Sequence, residues 1–145
     1  MAPTSEMAVK PRFPDTTSLL QYLYQDVRHF HQIASENIIL HTADRDISTP
    51  PRPPLRGVVA VQAHVEALVA ATGGTLVMDV SSITANDDFG VALGTLRASR
   101  EGAESLAIPV CGVWKFKDGL AIEHWENAHD AAKMNKWLSK SNEAK

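Results

Sequence analysis

His124 and Glu126 stand two residues apart in the stretch Lys115 to Asp130, KFKDGLAIEHWENAHD. An imidazole, with an ordinary pKa of about 6.5, can take or give a proton near neutral pH. A carboxylate in an apolar surrounding is pushed toward protonation, because burial disfavours its charge. With a hydrogen-bond donor for a developing oxyanion, the two could move a proton beside a carbonyl without a metal. The residues that could complete the set are His41 as a second acid or base, Tyr22 as a hydroxyl donor, Arg97 as a cation, and Trp114 and Phe116 as an apolar wall. Each also has a plainer reading. His124 and Glu126 could be the solvated tip of an edge strand, Tyr22 a helix-boundary aromatic, and Arg97 an ordinary cross-strand charge. Two histidines and a carboxylate could instead bind a metal. Their spacing matches no recognisable ligand pattern, so we expect no metal.

The elements that must position these side chains are strands. Asp118-Gly119 between two alternating runs is a hairpin turn, since Gly tolerates φ > 0. In the run after it, Leu120, Ile122, His124 and Glu126 share one face, because successive strand residues point to opposite sides. That face carries the larger aliphatics, which predicts that it is the inner one. Before the turn, Glu104 to Lys117 reads as a strand. Lys115 and Lys117 mark its outer face, leaving Val110, Gly112, Trp114 and Phe116 inside. On the strand Phe89 to Arg100, Arg97 shares a face with Leu93 and Thr95, and base rates favour that face being outer. Thr75 to Ala85 supplies a further strand. Asn37 to Thr42, NIILHT, is a short β-branched strand. Taking Ile39 as its inner side brings His41 to the same cavity, under a rim formed by Pro50 to Pro54.

Helical spacing dominates the first half. Leu19, Leu20, Leu23, Val27, Phe30 and Ile33 form one apolar stripe between Asp15 and Ser35. A break is expected near Gln25-Asp26. Val58 to Thr72 is a second helix, with Val61, Val65 and Leu68 in its stripe and Gly73-Gly74 ending it. His64 lies beside that stripe as a boundary residue. Between strand and helix, Ala43 to Arg56 holds four of the eight prolines and reads as a stiff rim or lid. A proline-rich ligand for an aromatic groove is the alternative. Asp130 caps a short last helix with Met134, Trp137 and Leu138 on one side.

The 145 residues suit one domain. We place it at 15–140, between a flexible N-terminal arm, 1–14, and a C-terminal tail, 141–145. A net charge of −3 gives no basic footprint for nucleic acid. No apolar run reaches the length of a membrane span. One cysteine, Cys111, allows no internal disulfide. With no apolar leader at the N-terminus, these features lead us to expect a cytoplasmic location. Helices, a short strand, a helix and then a four-strand meander imply an α+β fold. Its curved, mostly antiparallel sheet would form a cone with the N-terminal helices on its concave face.

In this order the sequence resembles the nuclear transport factor two-like (ketosteroid isomerase-like) superfamily, and within it the SnoaL-like polyketide cyclase group. The resemblance spans about Asp15 to Leu138. It rests on Ser35-Glu36-Asn37-Ile38-Ile39-Leu40-His41 as the acidic, apolar first strand and on Leu55-Arg56-Gly57 as the entry to a helix. The third piece is Asp118-Gly119 followed by Glu123-His124-Trp125 as the last hairpin. It implies a homodimer and a hydrophobic pocket for a small metabolite, such as a polyketide-like or terpenoid compound. Members isomerise, cyclise, dehydrate or hydrolyse without a cofactor, and others only bind. His41 falls where isomerase relatives place a proton-abstracting Asp. Gly112 falls where they keep a protonated Asp, so that constellation is not intact here. Glu126 is the nearest match to the cyclase acid/base carboxylate. The resemblance thus implies a cofactor-independent isomerase, cyclase or dehydratase acting through His41, His124 and Glu126. The competing reading is a non-catalytic ligand-binding or dimerisation module of the same fold.

Overall fold

The structure is a computed structural model that describes residues 13–143. The first helix, α1 (Thr16–Gln25), starts where the Asp15 carboxylate accepts the Ser18 N–H at 2.7 Å, which satisfies one of the free donors of the first turn. It stops at Asp26, whose backbone is extended. A 3₁₀ turn (Val27–His29) and a single-turn helix, α2 (Phe30–Ile33), follow. The expected break therefore lies at Asp26, but the chain turns into strand earlier than the stripe implies. Strand β1 (Ala34–His41) is followed by the two-residue β2 (Leu55–Arg56) and by α3 (Val58–Ala71). Then come β3 (Val77–Ala85), β4 (Phe89–Ala98), β5 (Leu106–Lys117), β6 (Leu120–Ala128) and α4 (Ala131–Glu143). The Asp130 carboxylate accepts the Lys133 N–H at the start of α4, as expected. That helix runs past the domain boundary expected at 140. The arm expected at 1–14 lies outside the described residues except for Phe13 and Pro14.

The six strands form one curved, unclosed sheet in the order β2-β1-β6-β5-β4-β3, in an α+β architecture. All neighbours are antiparallel except β1 and β6, which run parallel. That parallel pair seats the N-terminal strand beside the last one. Helix α1 crosses β3 and β4, α3 lies against β1, and α4 against β5 and β6. Leu19, Leu20, Leu23, Phe30, Ile33, Ile38, Leu40, Val61, Trp114 and Phe116 form the main buried core between helices and sheet. A smaller cluster of Ala98, Leu106, Ile108 and Met134 packs with Trp137 and Leu138 of α4.

The sheet has three irregularities, one of them a register shift between Ala34 and Ile39 where β1 meets β6; the other two are bulges. Between Val80 and Ser82, β3 gains a residue relative to β4, the bulge that bends an edge strand. Its backbone comes so close to Gly94 that a Cβ there would stand 2.4 Å from the Asp79 carbonyl oxygen. The second bulge lies in β6. Lys115 pairs with Glu123, but Phe116 pairs with Ala121, which leaves Ile122 as the extra residue. No described helix is long and apolar enough to cross a membrane.

Candidate functional site

The site is set by the pairing of β5 with β6. Trp114 lies opposite His124, and Gly112 opposite Glu126. Alternation along β5 is strict, with Leu106, Ile108, Gly112, Trp114 and Phe116 buried and Lys115 and Lys117 exposed, so the Trp114 face is inner as its sequence implies. His124 and Glu126 share that inner face. The premise that put them there does not hold, however. The bulge at Ile122 turns the strand over, so that buried Ala121, and not Ile122, belongs with His124. A strict period of 2 misses this because one added residue reverses every later assignment.

These residues form the polar end of a cavity of about 120 Å³. By that measure one water needs on the order of 10–15 Å³, so the space suits a small organic molecule. Apart from Tyr24, Cys111 and Asn127, the rest of its wall is apolar. It is built from Leu23, Val27 and Phe30 of the N-terminal helical region, Val65 and Leu68 of α3, Met78 and Leu96 of the sheet, and Met134 and Leu138 of α4. Of the loop between β1 and β2, only Ala43 contributes. The expected proline rim is corrected to α4, which lies across β5 and β6 and carries Met134 and Leu138 into the cavity.

Within the polar end, the His124 ring stacks on Trp114 with centroids 3.5 Å apart and planes 13° from parallel. His124 Nδ1 lies 2.9 Å from the Val113 carbonyl oxygen. A carbonyl can only accept, so Nδ1 carries the proton and Nε2 keeps its lone pair. Among the described residues no hydrogen bond engages Nε2. Burial is the largest influence on this ring and opposes its positive charge. Glu126 and the Val113 carbonyl pull the other way without prevailing, and its pKa falls to about 4. His124 is therefore neutral at pH 7.

Tyr24 of α1 completes the group. Its oxygen accepts the Trp114 Nε1 hydrogen at 3.1 Å, which leaves its own O–H available. Burial pushes the phenol well above its ordinary pKa, so the proton stays on. A Cβ on Gly112 would stand 2.7 Å from the Tyr24 hydroxyl oxygen and 3.0 Å from His124 Cε1. The missing side chain at Gly112 is thus what lets the phenol and the imidazole border one notch.

Glu126 is held from the other side. Its Oε1 accepts the Ala43 N–H at 3.2 Å and lies 3.5 Å from His64 Nε2 of α3. Burial works to protonate this carboxyl, but His64, His124 and the Ala43 N–H outweigh it and hold the group below its ordinary range. His64 shows the mirror effect. Burial opposes its charge, and Glu126 and Asp44 raise it above the ordinary histidine value. The carboxylate and the imidazolium stabilise each other.

The structure leaves four expected site residues outside the cavity. His41 lies on the opposite face, because Ala34, Ile38 and Leu40 are the fully buried positions of β1, each 0% exposed. Leu40 is the residue in register with His124, and His41 lies beside Trp125. His41 stacks on Trp125 and pairs with Glu123 at 2.6 Å on the convex side. Arg97 also points outward, 52% exposed, and meets Asp79 at 3.1 Å. Tyr22 donates its hydroxyl to Gln32 and stacks on His29, two positions away from the tyrosine that does reach the notch. Phe116 faces inward but packs in the main core and does not line the cavity.

Tyr24 and His64 were both legible and missed. Leu20, Leu23, Tyr24 and Val27 follow the i, i+3, i+4, i+7 pattern of a buried stripe, and so do Val61, His64, Val65 and Leu68. A polar residue inside such a stripe faces the interior. Among the described residues, no three His, Cys, Asp or Glu side chains converge as a metal-ligating group.

A model of the SnoaL-like domain family matches residues 22–124. Among curated proteins none matches the sequence. Solved structures do match. Bal32a, from a soil-derived mobile gene cassette, is 22% identical with a TM-score of 0.69, over 83% of this chain and 93% of that one. A Xanthomonas campestris protein with a cystatin-like fold is 15% identical with a TM-score of 0.70, over 86% of this chain and 98% of that one. A protein of Jannaschia sp. CCS1, provisionally described as a SnoaL-like polyketide cyclase, is 16% identical with a TM-score of 0.64, over 87% of this chain and 95% of that one. At these identities the structural likeness shows the fold alone.

The buried neutral imidazole predicts how stability responds to acid. His124 has a lowered pKa in the folded chain, so between pH 6.5 and 4 the unfolded chain binds the proton more readily and stability falls with pH. The loss should reach roughly 3 kcal/mol at pH 4. Glu126, also lowered, adds stability above its unfolded value that disappears in acid. His64, raised, adds stability below pH 6.5 that disappears as pH rises through its folded value. Thermal melts of wild type and His124→Phe between pH 7 and 4 check the first term. The wild type should lose clearly more stability over that range, and parallel curves would show that His124 is not buried neutral.

Proposed function

The chain belongs to the SnoaL-like domain family, and from that premise we propose that it is a cofactor-independent acid/base enzyme of the isomerase, cyclase or dehydratase class. Its substrate is a small hydrophobic carbonyl compound, polyketide-like or terpenoid in character. One observation carries the reading: a neutral His124 at the polar end of an apolar cavity, with Nδ1–H given to Val113 and Nε2 left as a base. The residues then have separate tasks. Nε2 takes a proton from a carbon beside the substrate carbonyl. The Glu126 carboxylate on the same strand favours the imidazolium that forms, and the Tyr24 O–H donates to the enolate oxygen as its charge develops. Because Trp114 already donates to the Tyr24 oxygen, that hydroxyl is oriented before substrate arrives. Trp114 is the wall against which a flat substrate lies. The provisional description of the Jannaschia protein as a polyketide cyclase agrees with this class of chemistry.

The test is exchange of the hydrogen beside the carbonyl in D₂O, followed by NMR on aromatic and terpenoid ketones. His124→Ala and Glu126→Gln should each slow exchange by about 10²-fold, the scale of a lost acid or base, with the fold intact. If both variants exchange at the wild-type rate, the acid/base reading fails. A binding module would instead show changed ligand affinity and no exchange by the wild type.

The convex face supports a homodimer. Val91, Val113 and Trp125 form one cross-strand row there, and Phe89 and Leu93 beside it are 51% and 45% exposed. Contiguous apolar area of this kind marks interfaces, and a two-fold pair is the commonest assembly. Sedimentation should give twice the 15.8 kDa chain mass, and Leu93→Arg should shift it toward monomer. A wild-type monomer at micromolar concentration would refute the pairing.

A further inference from the structure

We propose that His64 is a positioning residue of this site: its ring and the Ala43 N–H hold the same oxygen of Glu126, so that the other oxygen is the one offered to a ligand in the cavity. The proposal deepens the acid/base reading and rests on it for its role in turnover. Oε1 receives the Ala43 N–H at 3.2 Å and lies 3.5 Å from His64 Nε2. Among the described residues no hydrogen bond engages Oε2, and the Glu126 side chain is 25% exposed. His64 Nε2 is enclosed and has no hydrogen-bond partner. A buried polar atom left this way is costly, and the Glu126 carboxylate is the charged group that faces it.

Neither end of this contact is free to drift. The backbone oxygen of Glu126 accepts Arg45 Nη1 at 2.6 Å, and Arg45 Nη2 donates to the neighbouring Asn127 side chain at 2.7 Å. His64 is fixed by α3, whose Val61 and Val65 are buried in the core on either side of it. The other titratable groups acting on the pair are Asp44 and Arg52 of the loop and the neutral His124 on β6, with Tyr24 of α1 facing Glu126. Asp44 and Arg52 lie 3.2 Å from each other and act on His64 in opposite directions. The balance therefore falls to Glu126 and His64, and the ionised pair is the state that the geometry favours. An ionised Glu126 with its free oxygen turned to the ligand can favour a proton on His124 without taking that proton itself.

Histidine ¹⁵N and glutamate carboxyl ¹³C titrations of the full chain test the proposal, in wild type, Glu126→Gln and His64→Gln. In wild type His64 should hold its proton to higher pH than a free histidine. Glu126→Gln should lower the proton affinity of His64 by about tenfold or more, the scale of a lost neighbouring charge. His64→Gln should raise that of Glu126 comparably. If Glu126→Gln leaves the His64 titration where it was, or His64→Gln leaves that of Glu126, the pairing is overturned. Two variants keep the question open to refutation should one fail to fold. In the exchange assay His64→Gln should lower kcat with KM little changed, and an unchanged kcat would remove the positioning role. If the wild type itself exchanges nothing, the acid/base reading fails while the titrations still decide the pairing.

Discussion

A neutral imidazole inside an apolar cone is the constraint on which the rest of the site depends. Burying a ring with two nitrogens is costly unless its N–H finds an acceptor. Here the Val113 carbonyl on the adjacent strand serves, and the face of the ring is covered by Trp114, itself 1% exposed. Ring stacking adds about 0.5–1.5 kcal/mol beyond area burial. Once Nδ1 is committed, the tautomer is fixed and the remaining lone pair belongs to the cavity. Trp114 is fixed in turn by its hydrogen bond to Tyr24, which ties α1 to the sheet at the point where chemistry would occur. The geometry of the proposed site and the packing of the core thus rest on the same contacts.

Much of the fold was legible. The Asp-Gly turn, the capping Asp15 and Asp130, the Gly73-Gly74 stop and the alternation of β5 each follow from local stereochemistry. The inner face of β5 could be read because Lys115 and Lys117 leave no doubt about which side meets water. The face of β1 could not. Ile38, Ile39 and Leu40 are all aliphatic, so hydrophobicity does not choose between the two parities, and only the parallel pairing with β6 does. That pairing is non-local, and it sends His41 to the convex side. The β6 bulge is similarly silent in sequence, because Ala121 and Ile122 are both plausible inner residues. His124 was placed on the inner face by a premise, the larger aliphatics Leu120 and Ile122, that the bulge overturns.

The site residues that were overlooked carry a different lesson. Tyr24 and His64 stand in apolar stripes at helical spacing, and a stripe is where a polar side chain has the least reason to be. Reading His64 as a boundary residue, and passing over Tyr24 for Tyr22, treated polarity as a sign of exposure. The better rule here is that a polar residue at a stripe position is buried and needs a partner: Trp114 for Tyr24, Glu126 for His64. Gly112 belongs with them. Its lack of a side chain departs from the donor carboxyl that the family resemblance led one to look for, and a phenol from the first helix borders the resulting notch.

The central claim is the state of His124, and its ¹⁵N signals report that state directly. A two-bond ¹H–¹⁵N correlation spectrum of histidine-labelled protein at pH 7 should show His124 neutral with the proton on Nδ1. Titration toward acid should leave it so until about pH 4, and a bound ketone should move the Nε2 signal most. An imidazolium at pH 7, or a proton resident on Nε2, would contradict the account.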